Sequence, residues 1–406
     1  MPSSTNQPED PAFSLELLEG SIQFFPALIA NLDAARYTVH LETYIFDFTA
    51  SSIDVARALV RAAQRGVSVR VMVDGFGTPT WPAEWEARFK SAGVQTLVFE
   101  PIVRLGFFIP SQWRRLHRKL CVIDGEVAFC GGVNVLDDFY DPNYGVLPAP
   151  RFDFSVRVTG ALALTIHAVT CQLWERMASG TLAQLGTSHK VLNAIDFLAS
   201  QPRRYRFRKK QAQALQPRAY LVLRDNLSHR TKIERAYLKA IGEARQEIII
   251  ANAYFLPGAK LRKALVHAAG RGVKVQLLLQ GKYEYFMQFH AARPVYGSLL
   301  AAGIEIHEYA PSYLHAKVAV IDKVWATVGS SNLDPMSLLL AREANIVVHD
   351  ADFANSLRVR LLQAMQSEGK RLDPEQFAHR PLAQRIRDRI AFGLMRIGLW
   401  IFSKRY

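Results

Sequence analysis

The sequence predicts an α/β protein whose basic unit is made twice in tandem. Strand-like and helix-like periodicities alternate along the chain, one order of elements occurs in both halves, and one chemical motif follows it in each. With 406 residues the chain has room for two or three domains. Half of its residues are hydrophobic and 21% are charged, a balance that excludes disorder and fibrous repeats.

In the first half, YTVHLETYIF (Tyr37 to Phe46) alternates like a strand, SSIDVARALVRAAQRG has helical spacing, and VSVRVMVDG reads as the next strand. The second half repeats that order with EIIIANAYFLPG, AKLRKALVHAAGRG and VKVQLLLQG. Nearly continuous apolar strands joined through helices predict crossover units on a mostly parallel sheet covered by helices. Tyr44 aligns with Tyr254, and Gly66 with Gly272; the two tyrosines either line a cleft or belong to the core. The expected division is residues 1–185, a basic linker 186–218, residues 219–375, and a basic amphipathic tail 376–406. The linker contains PRRYRFRKK (Pro202 to Lys210), either a solvated connector or a patch for acidic lipid headgroups with Tyr205 and Phe207 at the interface.

The chemistry is concentrated in LHRKLCVIDGEVAFCGGVN (Leu116 to Asn134) and LHAKVAVIDKVWATVGSSN (Leu314 to Asn332). Each contains H-x-K-x4-D. Residues two apart on a strand share a face, so His117 projects with Lys119, and His315 with Lys317. Asp124-Gly125 and Asp322-Lys323 mark turns, where an aspartate serves as a turn former before it serves as a catalyst. Gly131-Gly132 and Gly329-Ser330 let backbone amides approach an anion, and Asn134 and Asn332 supply further donors to a phosphate oxygen.

A phosphodiester is anionic and poorly electrophilic. Its catalyst must neutralise the oxygens, provide a nucleophile and protonate an alkoxide leaving group. Two lysines and two asparagines meet the first need. Two histidines meet the others, one as nucleophile and one as acid then base. Each imidazole calls for an orienting carboxylate, and Asp153 in RFDFSV and Glu343 in REANIV follow the two blocks. The scheme calls for no metal and no cofactor. The chain has neither a G-x4-GK[ST] phosphate loop nor an H-E-x-x-H zinc motif.

Fifty Lys+Arg against 36 Asp+Glu give a net charge of +14, which favours an anionic partner, phospholipid or nucleic acid. Cys121, Cys130 and Cys171 are odd in number and lack zinc-like spacing, so buried free thiols in a reducing compartment are expected. The start, MPSSTNQPEDPAF, lacks the pattern of a secretory signal. The longest apolar run, Ile390 to Phe402, is short for a spanning helix and contains Arg396, so membrane contact is expected to be peripheral. VRLGFFIPSQWRRLHRK (Val103 to Lys119) mixes aromatic and basic residues suited either to headgroups or to a core loop. The end of the chain, RIRDRIAFGLMRIGLWIFSKRY, reads as an amphipathic helix for the interface, with packing against its own domain as the alternative.

These motifs resemble the phospholipase D superfamily, whose duplicated H-x-K-x4-D sequences meet at a pseudo-twofold cleft. VLRDNLSHRTKIERAYLKAI, IIIANAYFLPG and WATVGSSNLDPMSLLLAREANIVVHD look like bacterial cardiolipin synthases, particularly the B type. The resemblance implies two tandem phospholipase D-like α/β/α domains related by pseudo-twofold symmetry, with one shared active site. It implies transfer of a phosphatidyl group between phosphatidylglycerol molecules, releasing glycerol, at the cytoplasmic face of a bacterial inner membrane. It carries the catalytic set onto His117, Lys119 and Asp124 with Asn134, and onto His315, Lys317 and Asp322 with Asn332. It makes His117 the nucleophile. Phosphatidylglycerol, other anionic phospholipids and the membrane surface are the implied partners, with no nucleic acid. One departure is Ala316, where the second motif of this subfamily carries glycine; its side chain falls on the strand face opposite His315 and Lys317. The residues leave open phosphatidylethanolamine as donor, a hydrolytic phospholipase D, a nuclease of the superfamily and a non-catalytic membrane scaffold.

Overall fold

The computed structural model describes residues 13–101, 114–141, 144–184, 218–225, 229–283, 286–334 and 341–404. The first half runs β1 (Leu15–Glu19), α1 (Gly20–Ala34), β2 (Thr38–Thr43), α2 (Ser52–Gln64), β3 (Ser68–Asp74), α3 (Ala83–Ala92) and β4 (Gln95–Phe99). Then come β5 (Arg115–Leu116), β6 (Lys119–Ile123), β7 (Val127–Gly131), a small β8 (Tyr140–Asp141) and β9 (Gly145–Val146) pair, β10 (Phe154–Thr159) and α4 (Ala161–Gln184). The second half runs β11 (Ala219–Arg224), α5 (Lys232–Glu243), β12 (Glu247–Asn252), α6 (Ala259–Gly270), β13 (Lys274–Gln280), α7 (Phe286–Leu300) and β14 (Glu305–Tyr309). It closes with β15 (Lys317–Ile321), β16 (Trp325–Gly329), β17 (Ala341–His349), α8 (Ala351–Ser367), β18 (Gly369–Arg371), α9 (Pro374–Ala378) and α10 (Leu382–Lys404).

Each half builds one sheet in the same spatial order. The first is β1-β10-β7-β6-β2-β3-β4; the second is β11-β17-β16-β15-β12-β13-β14, extended by β18. The β2-β3-β4 and β12-β13-β14 segments are parallel, because helices α2, α3, α6 and α7 carry the chain back between strands. The remainder of the first sheet is antiparallel, as is β11-β17-β16-β15-β12 in the second. The expected mostly parallel sheet is therefore corrected to a mixed one: the motif strands β6-β7 and β15-β16 are joined by tight turns, which permit only antiparallel neighbours.

The core has three layers of apolar contact. Phe24, Phe25, Leu28 and Leu32 of α1 pack with Val55 and Leu59 of α2 and Phe89 of α3 on the outer face of the first sheet. Ile233, Tyr237, Leu261, Leu265 and Leu299 do the same for the second. Between the sheets lies one shared cluster, joining Val122, Val156 and Ile166 to Ile249, Val320, Ile346 and Leu357. Helices on both sheet faces and a common inner core are what bring the two motif strands towards each other.

At the chain's end α10 packs along α7. Asp388, buried on α10, accepts from His290 Nδ1 of α7 at 2.7 Å and pairs with Arg380 at 3.0 Å. Ala391 is buried in this contact. The opposite face exposes Leu382, Ile386, Ile390, Leu394 and Ile397 among exposed Arg385, Arg387, Arg389 and Arg396. The packing expected as the alternative for this segment is thus present on one face of the helix, and the other face is amphipathic and open. No helix among the described residues is long and apolar enough to cross a membrane. PRRYRFRKK and residues 103–113 lie outside the described residues.

Candidate active site

His117 and His315 stand at the entry to the motif strands β6 and β15, and each is fastened to the opposite half. The His117 N–H donates to Arg342 O at 3.0 Å, and β5 just before it pairs in parallel with β17. Reciprocally, the His315 N–H donates to Phe152 O at 2.9 Å, and Phe152 N–H donates to Tyr313 O at 3.0 Å. These backbone bonds carry the carboxylates with them. Nδ1 of His117 lies 3.0 Å from Glu343 Oε1, and Nδ1 of His315 lies 2.6 Å from Asp153 Oδ2.

The two acids that follow the motif blocks thus sit beside histidines, crossed between halves: Asp153 serves His315 and Glu343 serves His117. The carboxylates are hidden, Glu343 fully, whereas the His117 and His315 side chains keep 16% and 23% of their surface open. That exposure leaves the imidazoles reachable while their partners stay dry. Lys119 Nζ donates to His117 O at 2.7 Å, and Lys317 Nζ donates to His315 O. Tyr44 stacks edge-on to His117, ring centroids 5.0 Å apart, with Lys119 Nζ 5.4 Å from its centroid. This places Tyr44 at the site.

The electrostatics of the two pairs differ. Burial drives His117 down, against the pull of Glu343; burial, Lys317, Lys119 and His117 drive His315 down much further. Burial lifts Asp153 to about 7, with Lys317 opposing it. Burial also pushes Glu343 upward, but His117, Lys119 and Ser330 outweigh it and hold the carboxyl below the usual range. Lys119 is drawn down to about 7 by burial, with Lys317 adding like-charge repulsion against the pull of Glu343.

A single position in the duplication accounts for part of that difference. Ser330 donates its hydroxyl to Glu343 Oε2. Its counterpart is Gly132, where a Cβ would fall 2.2 Å from Asp153 Oδ1. Glycine is required for the Asp153 carboxylate to reach its place. Sequence reading found both acids but neither of these supports. It also missed Asp74, whose buried carboxylate accepts from Leu116 N at 2.7 Å and so fixes the backbone one residue before His117.

The remaining expected residues fall into two groups. Asn134 and Asn332 are buried at the ends of the motif hairpins, and Asn134 Oδ1 accepts from Ile45 N at 3.1 Å. Asp124 and Asp322 occupy the far ends of β6 and β15, in left-handed conformation with φ of 53° and 51°. Asp124 accepts from the amides of Arg36, Tyr37 and Thr38, and Asp322 from those of Arg245, Gln246 and Glu247. Their carboxylates clamp the turn to the start of the neighbouring strand. Ala316 is buried in the shared core, away from the polar cluster.

Two open imidazoles with buried carboxylates behind them, flanked by two lysines, form a set able to attack phosphorus, protonate a leaving oxygen and balance the negative charge of a phosphodiester.

Comparison with known proteins agrees. Residues 28–147 and 237–365 match the family model described as the PLD-like domain of cardiolipin synthase. Cardiolipin synthase B of Salmonella typhi is 36% identical over 388 residues, covering 94% of this chain and 87% of that protein. Its namesake in Escherichia coli K12 is 35% identical over 382 residues with the same coverage. Among solved structures, phosphatidylserine synthase of Haemophilus influenzae superposes with a TM-score of 0.63 at 13% identity, covering 95% of this chain and 93% of that one, which bears on fold alone. The chain belongs to the cardiolipin synthase family of phospholipase D-like proteins.

Proposed function

We propose that this protein is a cardiolipin synthase, a phosphatidyltransferase that moves a phosphatidyl group from one phosphatidylglycerol to a hydroxyl of another and releases glycerol. The observation that carries this is the pair of crossed carboxylate–histidine units with a lysine beside each. Glu343, held ionised, accepts a hydrogen bond from Nδ1–H of His117 and so leaves the Nε2 lone pair to attack phosphorus. Asp153, lifted to about 7, holds a proton against Nδ1 of His315; as the phosphorus–oxygen bond breaks, His315 gives its Nε2 proton to the glycerol oxygen and Nδ1 takes the carboxyl proton. A phosphohistidine remains on His117. The incoming glycerol hydroxyl then gives its proton to His315, attacks phosphorus and expels His117. Lys119 and Lys317 balance the phosphate oxygens, and Asn134, its own oxygen held by Ile45, offers its amide N–H groups. Asp124 and Asp322 support the strands rather than the reaction.

One phosphodiester is exchanged for another, so the reaction needs no nucleotide. Phosphatidylglycerol and other anionic phospholipids are the proposed ligands, reached from the cytoplasmic surface of the membrane by a peripherally bound enzyme. The exposed Leu-Ile stripe of α10 between arginines supports that mode of attachment. Purified protein incubated with phosphatidylglycerol vesicles, without added nucleotide, is expected to produce cardiolipin and free glycerol, both absent with His117→Ala and His315→Ala. Phosphatidic acid as the only product would make the protein a hydrolase, and no turnover would overturn the reading.

A further inference from the structure

The duplicated fold carries an internal control, and one place in it differs in a way that phosphoryl chemistry does not require. His40 on β2 pairs with Val122, and Ile249 on β12 pairs with Val320, the matching residue of the second motif strand. Val156 on β10 pairs with Cys130, and Ile346 on β17 pairs with Val328. β10 ends at Thr159 and α4 begins at Ala161, as β17 ends at His349 and α8 begins at Ala351. Counting onward, His167 and Cys171 of α4 stand where Leu357 and Leu361 stand in α8. Ile249, Leu357 and Leu361 all belong to the shared core. One copy fills this place with three aliphatic side chains; the other fills it with two imidazoles and a thiol.

Burying polar groups is unfavourable unless something binds them. His40 and Cys171 are 4% and 3% exposed, and the buried Nδ1 of His167 has no hydrogen-bond partner. Nε2 of His40 lies 3.6 Å from Cys171 Sγ, and the rings of His40 and His167 meet edge to face at 5.3 Å. One donor atom from each of the three residues falls within 4.8 Å of the others. Burial, helped by His167 and Arg70, pulls His40 down to about 3, and burial pushes the Cys171 thiol up to about 11.

We propose that His40, His167 and Cys171 bind a divalent ion of the zinc class that staples α4 to β2. Imidazole nitrogen and thiolate sulfur are the donor set such an ion takes, and a tetrahedral ion with bonds of roughly 2.0–2.3 Å keeps its donors about 3.3–3.8 Å apart. The His40–Cys171 separation already meets this, and small rotations of His167 bring in the third donor. Binding forms a metal–sulfur bond and releases the thiol proton to solvent, leaving one net positive charge on the ion and thiolate together. Arg70 is the nearby cation, and its guanidinium is engaged by Glu175 at 3.2 Å. His167 and Cys171 share a helix face at i,i+4, whereas His40 comes from a strand far upstream. The spacing of cysteines along the chain therefore gives no hint of the site. α4 directly follows β10, which begins beside Asp153, so the staple would steady the element that aims Asp153 at His315.

The proposal does not rest on the transfer reaction, and its test is optical. The full chain, stripped with a chelator and desalted, is titrated with Co2+ and then with Zn2+. One Co2+ per chain with a sulfur-to-metal charge-transfer band, displaced by Zn2+, is the expected result, together with a Tm that rises with Zn2+. Cys171→Ser is expected to abolish the band and weaken Zn2+ binding at least tenfold. The triple variant His40→Ile, His167→Leu, Cys171→Leu, copying the second half, is expected to bind one ion fewer than wild type. Absence of the sulfur band in wild type, or its persistence in Cys171→Ser, overturns the proposal whether or not the triple variant folds.

Discussion

Glu343 has no exposed surface, yet its partners keep it ionised, and that charge is what sets the Nδ1 proton of His117 in place. Glu343→Gln keeps the shape and removes the charge, so kcat is expected to fall by roughly 10³–10⁴-fold with little change in KM, measured as cardiolipin formation. The same groups fix the pH profile. His117 must be neutral to attack, and its proton affinity is depressed, so the acid limb of kcat/KM lies below pH 6.5. Lys119 must be charged and the Asp153–His315 pair must hold its proton; both are lost as pH rises through about 7, which places the alkaline limb there. A profile flat between pH 6 and 9 would contradict this assignment. The histidines, lysines and acids were legible because each occurs at the same place in two copies. The crossing of the acids was not, since nothing in a linear sequence says that β17 lies beside the first motif. Gly132 and Ser330 were read as letting amides approach an anion rather than as neighbours of the acids, and Asp74 carried no signal because its partners are mainly backbone amides.

At the scale of elements, the motif hairpins depend on Asp124 and Asp322, each accepting from three consecutive backbone amides. Asp124→Ala leaves those amides unpaired or wet, and a loss of about 2–4 kcal/mol in urea denaturation is expected, with the phosphohistidine chemistry retained in the folded fraction. A variant as stable as wild type but without activity would move Asp124 into the reaction. The strands themselves were legible from their apolar runs, but periodicity records which face is buried and not which way a neighbour runs. The turns at Asp124 and Asp322 did mark hairpin returns, but the crossover units alone suggested a mostly parallel sheet, and nothing in the runs said that the hairpins join it. The amphipathic pattern of α10 was equally legible, while the burial of Asp388 against His290 depends on a helix about a hundred residues away. Ile386→Asp with Ile390→Asp charges only the exposed face. Binding to phosphatidylglycerol vesicles in a flotation assay is expected to fall at least tenfold with Tm unchanged.

Across the whole molecule, the two sheets share one core, and each motif is tied to the other half by backbone bonds and by its carboxylate. Neither half contains a complete carboxylate–histidine unit. The proposed division at a linker therefore separates sheets, not functions. The first sheet also keeps a buried polar layer, with Arg118 bound to Glu42, where the second has Ala316 and Ala251. The copies differ at these inner-face positions, while the histidines, lysines and acids kept their places. The most direct test of the central claim uses a phosphatidyl ester of p-nitrophenol, whose leaving group needs no protonation. His315→Ala is then expected to release one equivalent of p-nitrophenol in a burst and stall, with the phosphatidyl group mapped to His117, while His117→Ala gives no burst. A burst in His117→Ala with the adduct on His315, or steady turnover by either variant without an adduct, would contradict the account.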